Sequence, residues 1–117
     1  ELWGSGRAKR EFLFVEDLAQ AVVFCLEKKI KPDLYNIGTG KEITINNLAK
    51  KIKKQVGYEG KIIWNRNNLD GVYRKCLDVS KIKKRGWRHT VDIDEGIKKT
   101  YKWFLNNKKN IKEKKIM

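Results

Sequence analysis

The sequence predicts an α/β or mixed α+β fold, because helical and extended segments alternate along its 117 residues. Three segments have apolar residues at helical spacing, and short extended segments lie between them. Hydrophobic residues make up 40% of the chain, which is enough for one small core. We therefore expect one small domain, or part of a larger one.

The first predicted helix is "VEDLAQAVVFCLEKK", in which five apolar residues follow the i, i+3, i+4, i+7, i+8 pattern of one buried face. They are Leu18, Ala21, Val22, Cys25 and Leu26. Cys25 is accordingly predicted to be a core thiol and not a nucleophile. Pro32 ends this segment, and residues 34–37 are predicted to form a short strand before a turn at Gly38 and Gly40.

A second helix is predicted from Ile45 to Val56, because its apolar residues share one face and its lysines point away. Thr44 can cap its start, and Gly57 can end it. The segment "KIIW" is the next predicted strand. The turn "NRNNLDG" follows, and Asp70-Gly71 is its sharpest signal.

A short helix, "VSKIKKR", is predicted next, capped by Asp78 and closed by Gly86. The last predicted helix is "DIDEGIKKTYKWFLNN", where Asp92 and Glu95 have the spacing of a capping box. Residues 108–117 carry high charge and little apolar surface, which predicts a basic, disordered tail.

The chain is strongly basic, with 28 Lys and Arg against 14 Asp and Glu and a formal net charge of +14. This excess of positive charge suggests nucleic acid or an anionic membrane as a partner. However, 22 of the cations are lysines, which commonly serve as solvating charges on helix faces. We expect neither partner, and a basic nucleic-acid-binding module is kept only as an alternative.

Several catalytic and binding motifs are missing from the sequence. There is no G-x-G-x-x-G after a strand, no P-loop and no run of 18 apolar residues. His89 is the only histidine, and Cys25 and Cys76 lack the spacing of a zinc site, so no metal site is expected. The sparse cysteines favour a cytoplasmic protein. Because the sequence opens with Glu1 and offers no nucleophile and base pair, we expect a piece of a longer, catalytically complete protein.

The opening stretch "LWGSGRAKR" has two interpretations from its residues alone. Trp3 could stack on a base or a sugar, Gly4 and Gly6 allow close backbone approach, and Arg10 could hold phosphate through two parallel hydrogen bonds. Alternatively, the stretch is a glycine-rich turn that leads into a strand and carries solvated cations. Spacing alone leaves both interpretations open.

The order of segments over residues 2–107 resembles the C-terminal part of the GDP-L-fucose synthase family, within the extended short-chain dehydrogenase/reductases and their NAD-dependent epimerase/dehydratase branch. The resemblance rests on W-G-S-G followed by R-E-F, on "YNIGTG", and on D-G-x-x-R-K-x-L-D-V. It implies a C-terminal substrate-binding portion whose Rossmann core is mostly absent from this chain. The segment from about residue 11 to residue 43 is then expected to pack against the Rossmann domain of the complete protein.

The resemblance also implies a reaction. Enzymes of this family epimerise GDP-4-keto-6-deoxy-mannose at C3 and C5 and reduce its C4 ketone with NADPH, as a homodimer. The catalytic and cofactor-binding residues are expected upstream of Glu1, so the fragment itself is expected to be inactive and to bind no cofactor alone. A different sugar-nucleotide epimerase or dehydratase of the same family is the near alternative.

What the resemblance transfers to this chain is substrate binding. Trp3 matches the tryptophan of W-G-S-G, and Arg10 matches the arginine of R-E-F. Asp70 and Lys75 match the acidic and basic residues of D-G-x-x-R-K. A diphosphate bears about two negative charges, which the two cations could neutralise. The chain lacks three prolines that the family commonly has in these loops, so the GDP-hexose that it accepts is an open question at this point.

Overall fold

A computed structural model describes residues 1–108, so the tail predicted at 108–117 lies outside the described residues except for Lys108. Five strands and four helices occur in the described part of the chain. In order they are β1 (Leu2–Trp3), β2 (Lys9–Glu11), α1 (Val15–Glu27), β3 (Glu42–Thr44), α2 (Ile45–Val56), β4 (Trp64–Asn65), β5 (Arg74–Lys75), α3 (Ser80–Lys84) and α4 (Ile93–Asn107).

The strands form two small sheets. β2 is the central strand of a three-stranded sheet, antiparallel to β3 on one side and parallel to β5 on the other. β1 and β4 form a separate parallel pair. The predicted mixture of helices and short strands is therefore confirmed, and both sheets begin in the first eleven residues of the chain.

The buried core lies where α1 meets α3 and the loop that follows it. Ala21, Val79, Ile82 and Trp87 are each less than 9% exposed and form one cluster. Cys25 packs against this cluster, as the helical spacing predicts. The core is small because only one side of α1 is buried in it.

The other side of α1 departs from the prediction. Leu18, Val22 and Leu26, assigned to the buried face by spacing, are exposed by 45%, 54% and 73%. Val15 and Val23 are exposed as well. The periodicity identified the apolar residues correctly, but only a narrow part of that surface meets another element within residues 1–108.

Local capping signals were interpreted correctly in α2 and α4. The Thr44 hydroxyl accepts a hydrogen bond from the Asn47 amide at 3.2 Å, and Gly57 ends α2 at a φ of 69°. The Asp92 carboxylate accepts from the Glu95 amide at 2.9 Å. These caps use only residues within one turn of the helix end, so the sequence contains all the information they need.

The strand predicted at residues 34–37 was wrong. This segment has no strand partner in the described part of the chain; Leu34 is 82% exposed, while Tyr35 and Ile37 pack against the core. The Asn36 side-chain amide instead donates to the backbone carbonyl of Asp78 at 3.1 Å. The alternating sequence pattern therefore identifies the side chains that are buried here, but the backbone of this segment forms no strand ladder.

Two other boundaries also shift. The strand predicted at 61–64 begins only at Trp64. α3 begins at Ser80 with Val79 at the N-cap position, so Asp78, the predicted cap, lies one residue before the observed one. The Asp78 carboxylate still accepts from the Ser80 amide at 2.9 Å, which holds the chain at the helix entrance.

Asp17 joins α1 to the loop that precedes α4. Its side chain is only 1% exposed and accepts hydrogen bonds from the Thr90 amide at 3.0 Å, the Thr90 hydroxyl at 2.8 Å and the Val91 amide at 3.0 Å. Burial raises the pKa of Asp17, but these hydrogen bonds outweigh burial and leave that pKa below its ordinary value. Asp17 is therefore a buried carboxylate that remains ionised.

Candidate functional site

Arg10 and Lys75 lie side by side on neighbouring parallel strands. The register of β2 and β5 pairs Lys9 with Arg74 and Arg10 with Lys75. Successive residues of a strand point to opposite faces, so Arg10 and Lys75 share one face of the sheet while Lys9 and Arg74 share the other. The sheet thereby joins two of the predicted site residues that are far apart in the sequence.

The two faces differ in charge compensation. Glu42 of β3 forms ion pairs with Lys9 at 3.2 Å and with Arg74. Hydrogen bonds from Arg74 and Lys9 hold the pKa of Glu42 below its ordinary value, and Glu42 in turn raises the pKa of Arg74. Among residues 1–108, no carboxylate lies within 4.0 Å of the Arg10 or Lys75 side chain.

Asp70 binds the W-G-S-G turn. Its carboxylate accepts hydrogen bonds from the Ser5 amide at 2.7 Å and from the Ser5 hydroxyl, and these bonds lower the pKa of Asp70. Gly4 has a φ of 82°, and a side chain there would collide with the Asp70 carboxylate. Glycine is therefore required at this position both for its backbone conformation and for the close approach of Asp70.

Trp3 lies in the other sheet, paired with Asn65, and is 75% exposed. It is therefore not a core residue, and its indole face is free for contact. The turn at residues 70–71 lies next to two other segments that carry predicted site residues. Asp70 contacts Ser5, two residues after Trp3, and the position of a Cβ on Gly71 lies 3.5 Å from an Nη atom of Arg10.

Glu11, which the sequence analysis did not assign, anchors the end of β5. Its carboxylate accepts from the Gly40 amide at 2.7 Å and from the Leu77 amide at 2.7 Å. Burial raises the pKa of Glu11, but these hydrogen bonds and those of Thr39 leave it below its ordinary value. The signal was present in R-E-F, where an acidic residue follows Arg10 directly, but its partners are distant in sequence.

A polar cavity of about 380 Å³ adjoins Asp70. It is lined by Ser5, Arg7, Arg66, Asn68, Leu69 and Asp70. Trp3, Arg10 and Lys75 do not line this cavity. Of the four predicted site residues, only Asp70 lines this cavity, and only Arg10 approaches the 70–71 turn that carries it.

Residues 1–108 contain no cluster of metal ligands, since no group of three His, Cys, Asp or Glu side chains could hold a metal ion there. The two G-x-G stretches, at Gly4–Gly6 and Gly38–Gly40, lead into strands β2 and β3, whereas the glycine-rich turn of a dinucleotide-binding motif leads into a helix N-terminus. None of the helices within these residues is long and apolar enough to cross a membrane.

His89 is a packing residue. Its side chain is half-buried, and its Nδ1 atom has no hydrogen-bond partner within the part of the chain that the structure describes. It lies next to Thr90, whose amide and hydroxyl bind the Asp17 carboxylate.

Comparison with known proteins shows what the chain is similar to. Residues 1–38, which include β1, β2 and Arg10, match the model of the NAD dependent epimerase/dehydratase family. The chain is 44% identical over 106 residues to GDP-L-fucose synthase 1 of Arabidopsis thaliana, covering 91% of this chain and 33% of that relative. It is 40% identical over 115 residues to GDP-L-fucose synthase of Escherichia coli strain K12, covering 91% and 36%.

The fold of the chain also matches solved structures. A GDP-mannoheptose C4 reductase from Campylobacter jejuni with NADP bound is 33% identical and has a TM-score of 0.76. That match covers 89% of this chain and 34% of the reductase. The chain therefore spans about a third of the length of the relatives it matches.

Proposed function

We propose that this chain is the nucleotide-sugar-binding portion of an enzyme of the GDP-L-fucose synthase type. The proposed substrate is GDP-4-keto-6-deoxy-mannose, which the complete protein would epimerise at C3 and C5 and reduce at C4 with NADPH. Support comes from the GDP-L-fucose synthases among the relatives and from the reductase structure with NADP bound.

The observation that carries this proposal is the pairing of Arg10 with Lys75. Both cations point to one face of the β2–β5 pair, and no carboxylate compensates them within residues 1–108. An uncompensated pair of cations attracts an anion with about two negative charges, and a diphosphate has that charge. The guanidinium of Arg10 offers a planar fork, whereas the ammonium of Lys75 acts as a point charge.

Trp3 and Asp70 have different roles in this proposal. The exposed indole of Trp3 supplies an apolar wall for the nucleotide or the sugar. Asp70 accepts from both Ser5 donors, so we assign it a positioning role in addition to its proposed contact with substrate hydroxyl or amide groups. Tight binding of the GDP group keeps the reacting sugar in place, so binding energy from the nucleotide contributes to the rate of the reaction.

The catalytic residues and the NADPH site are proposed to lie outside this chain, in a Rossmann domain against which residues 11–43 pack. The uncovered apolar side of α1 supports that arrangement, because a surface of this kind requires a partner. We propose a homodimer for the complete protein and a cytoplasmic location, with which the two free thiols are consistent.

Titration calorimetry on the complete protein tests the proposal. GDP and GDP-mannose are expected to bind more tightly than UDP and UDP-glucose. Arg10→Gln and Lys75→Gln should each weaken GDP binding about tenfold, because each removes a charge-assisted contact. Lys9→Gln is the matched control, because Lys9 lies on the opposite face and pairs with Glu42.

Two outcomes would overturn this assignment. Preference for UDP over GDP would favour a related sugar-nucleotide epimerase of the same family. Equal effects of Lys9→Gln and Arg10→Gln would show that the face with Arg10 and Lys75 has no special role in binding.

A further inference from the structure

Arg7 and Arg66 face the same cavity from two separate segments of the chain. The cavity beside Asp70 has a volume of about 380 Å³, and these are the two cations in its lining. Arg7 follows the W-G-S-G turn, and Arg66 follows β4. Neither residue belongs to the set of substrate ligands proposed above.

The two walls of this cavity are fastened to each other. The Gly4 amide donates to the Asn65 carbonyl at 2.9 Å, and the Asp70 carboxylate binds both donors of Ser5. The Asn67 amide donates to the Asn65 side chain at 3.1 Å and shapes the turn that carries Arg66. Hydrogen bonds therefore fix the segment that carries Arg7 against the segment that carries Arg66, although both arginine side chains are exposed.

The position of Arg7 is fixed by Ser5. The Ser5 hydroxyl accepts hydrogen bonds from the Arg7 amide at 3.2 Å and from Arg7 Nε at 3.3 Å, while it donates to Asp70. The Nε contact leaves the two terminal nitrogens of the guanidinium available for a ligand.

The lining carries a net positive charge. Within residues 1–108, no carboxylate lies within 4.0 Å of Arg7 or Arg66. Asp70 is the one acidic residue in the lining, and both of its oxygens accept from Ser5. Two cations against one engaged carboxylate favour an anionic ligand.

We propose that Arg7 and Arg66 form a phosphate-binding subsite. A guanidinium presents parallel donors to a phosphate, and two of them from opposite walls can hold one phosphate group between them. The volume lies at the lower end of the range for ligand cavities, so it suits one part of a nucleotide sugar and not the whole molecule. The phosphate has two candidate sources: the diphosphate of the nucleotide sugar, in which case the inference rests on the proposed function, or free inorganic phosphate.

This subsite is separable from the face that carries Arg10 and Lys75. Those residues lie in the β3–β2–β5 sheet and do not line the cavity, whereas the cavity is built on the β1–β4 pair. Substitutions at Arg7 and Arg66 can therefore be made without altering the strand pairing that brings Arg10 and Lys75 together.

Calorimetry on the complete protein, with inorganic phosphate, inorganic pyrophosphate and GDP as probes, tests the subsite. Arg7→Gln and Arg66→Gln are each expected to weaken pyrophosphate binding about threefold to tenfold, and the double variant more than either. Arg88→Gln is the matched control, because Arg88 is an exposed arginine outside the cavity lining. Arg7→Lys keeps the charge without the fork and should retain part of the affinity.

The three probes distinguish the sources. Parallel loss of GDP and pyrophosphate binding assigns the subsite to the nucleotide diphosphate. Loss of phosphate and pyrophosphate binding with unchanged GDP binding assigns it to free phosphate. If all probes bind the double variant as they bind the wild-type protein, the subsite does not exist; GDP binding that still depends on Arg10 would leave the proposed function intact. If the wild-type protein binds pyrophosphate through Arg7 and Arg66 but does not bind GDP, the proposed function fails and the subsite stands.

Discussion

Substitution of Asp17 by asparagine is expected to destabilise the protein by about 2–4 kcal/mol, a sum of two losses. The asparagine side chain would keep one acceptor oxygen and replace the other by an amide nitrogen, which cannot accept the Val91 N–H. A buried donor left without a partner costs about 1–3 kcal/mol, and the remaining bonds from Thr90 lose their charged acceptor, at about 1 kcal/mol. The Asp17 site is 1% exposed, so water cannot replace the lost acceptor without opening the structure.

Urea unfolding at neutral pH, with hydrogen exchange at the Thr90 and Val91 amides, measures this loss. Asp94→Asn is the control, because Asp94 is exposed and pairs only with Lys51 in the described structure. The reasoning is refuted if Asp17→Asn costs no more than Asp94→Asn and leaves protection of the two amides unchanged.

The same carboxylate predicts a pH dependence. The pKa of Asp17 is lowered in the folded protein from an ordinary value of 3.8, so the unfolded chain binds a proton first as the pH falls. The stabilisation is therefore fully present above about pH 4 and is lost as the pH falls through the folded pKa. Asp17→Asn should flatten the acid limb of the stability curve in this window.

Three further predictions concern packing, site geometry and charge. Gly6→Ala should destabilise the protein more than Gly57→Ala. Both glycines have a positive φ, so alanine at either position costs about 1–2 kcal/mol of backbone strain, but only a Cβ at Gly6 would lie 2.6 Å from the Trp64 ring. Equal urea midpoints for the two variants would contradict this. Glu11→Gln should weaken GDP binding without changing the preference of the protein for GDP over UDP, because Glu11 accepts from the Leu77 amide and so positions the end of β5. An unchanged affinity for GDP in calorimetry would exclude this positioning role. The 117-residue chain alone should self-associate through the uncovered side of α1, so a sharp, concentration-independent melting transition of a monomer would count against it.

The sequence predicted those elements whose determinants are local. α2 and α4 have their caps, Thr44 and Asp92, within one turn of the helix start, and the structure shows both caps bonded. The strand at 34–37 failed because a strand needs a partner, and alternation in one segment says nothing about whether a partner exists. α1 forms as predicted, over Val15–Glu27, but its predicted burial was wrong. Spacing marks the apolar residues, whereas Leu18 and Val22 have no covering element within residues 1–108.

The candidate site was accessible from the sequence only through motifs. Arg10 and Lys75 are neighbours because β2 and β5 pair in parallel, a relation that spacing along the chain cannot reveal. Glu11 was missed because Gly40 and Leu77, whose amides donate to its carboxylate, lie on distant segments. Arg7 and Arg66 were missed because they line one cavity only once folding brings their two segments together. Predicting these neighbours requires the three-dimensional arrangement of the strands and loops, which the sequence alone does not give.

The net charge of +14 is a poor guide to what this protein binds, and the β2–β5 pair shows why. Its four cations divide by strand alternation into two pairs. Glu42 neutralises Lys9 and Arg74 on one face, whereas Arg10 and Lys75 on the other face have no carboxylate within 4.0 Å in the described part of the chain. A binding site arises where compensation is missing in a defined geometry, so selectivity should follow these particular cations and not the total. A nucleic-acid-binding surface would instead lose affinity progressively as any of many cations is removed and as salt is raised.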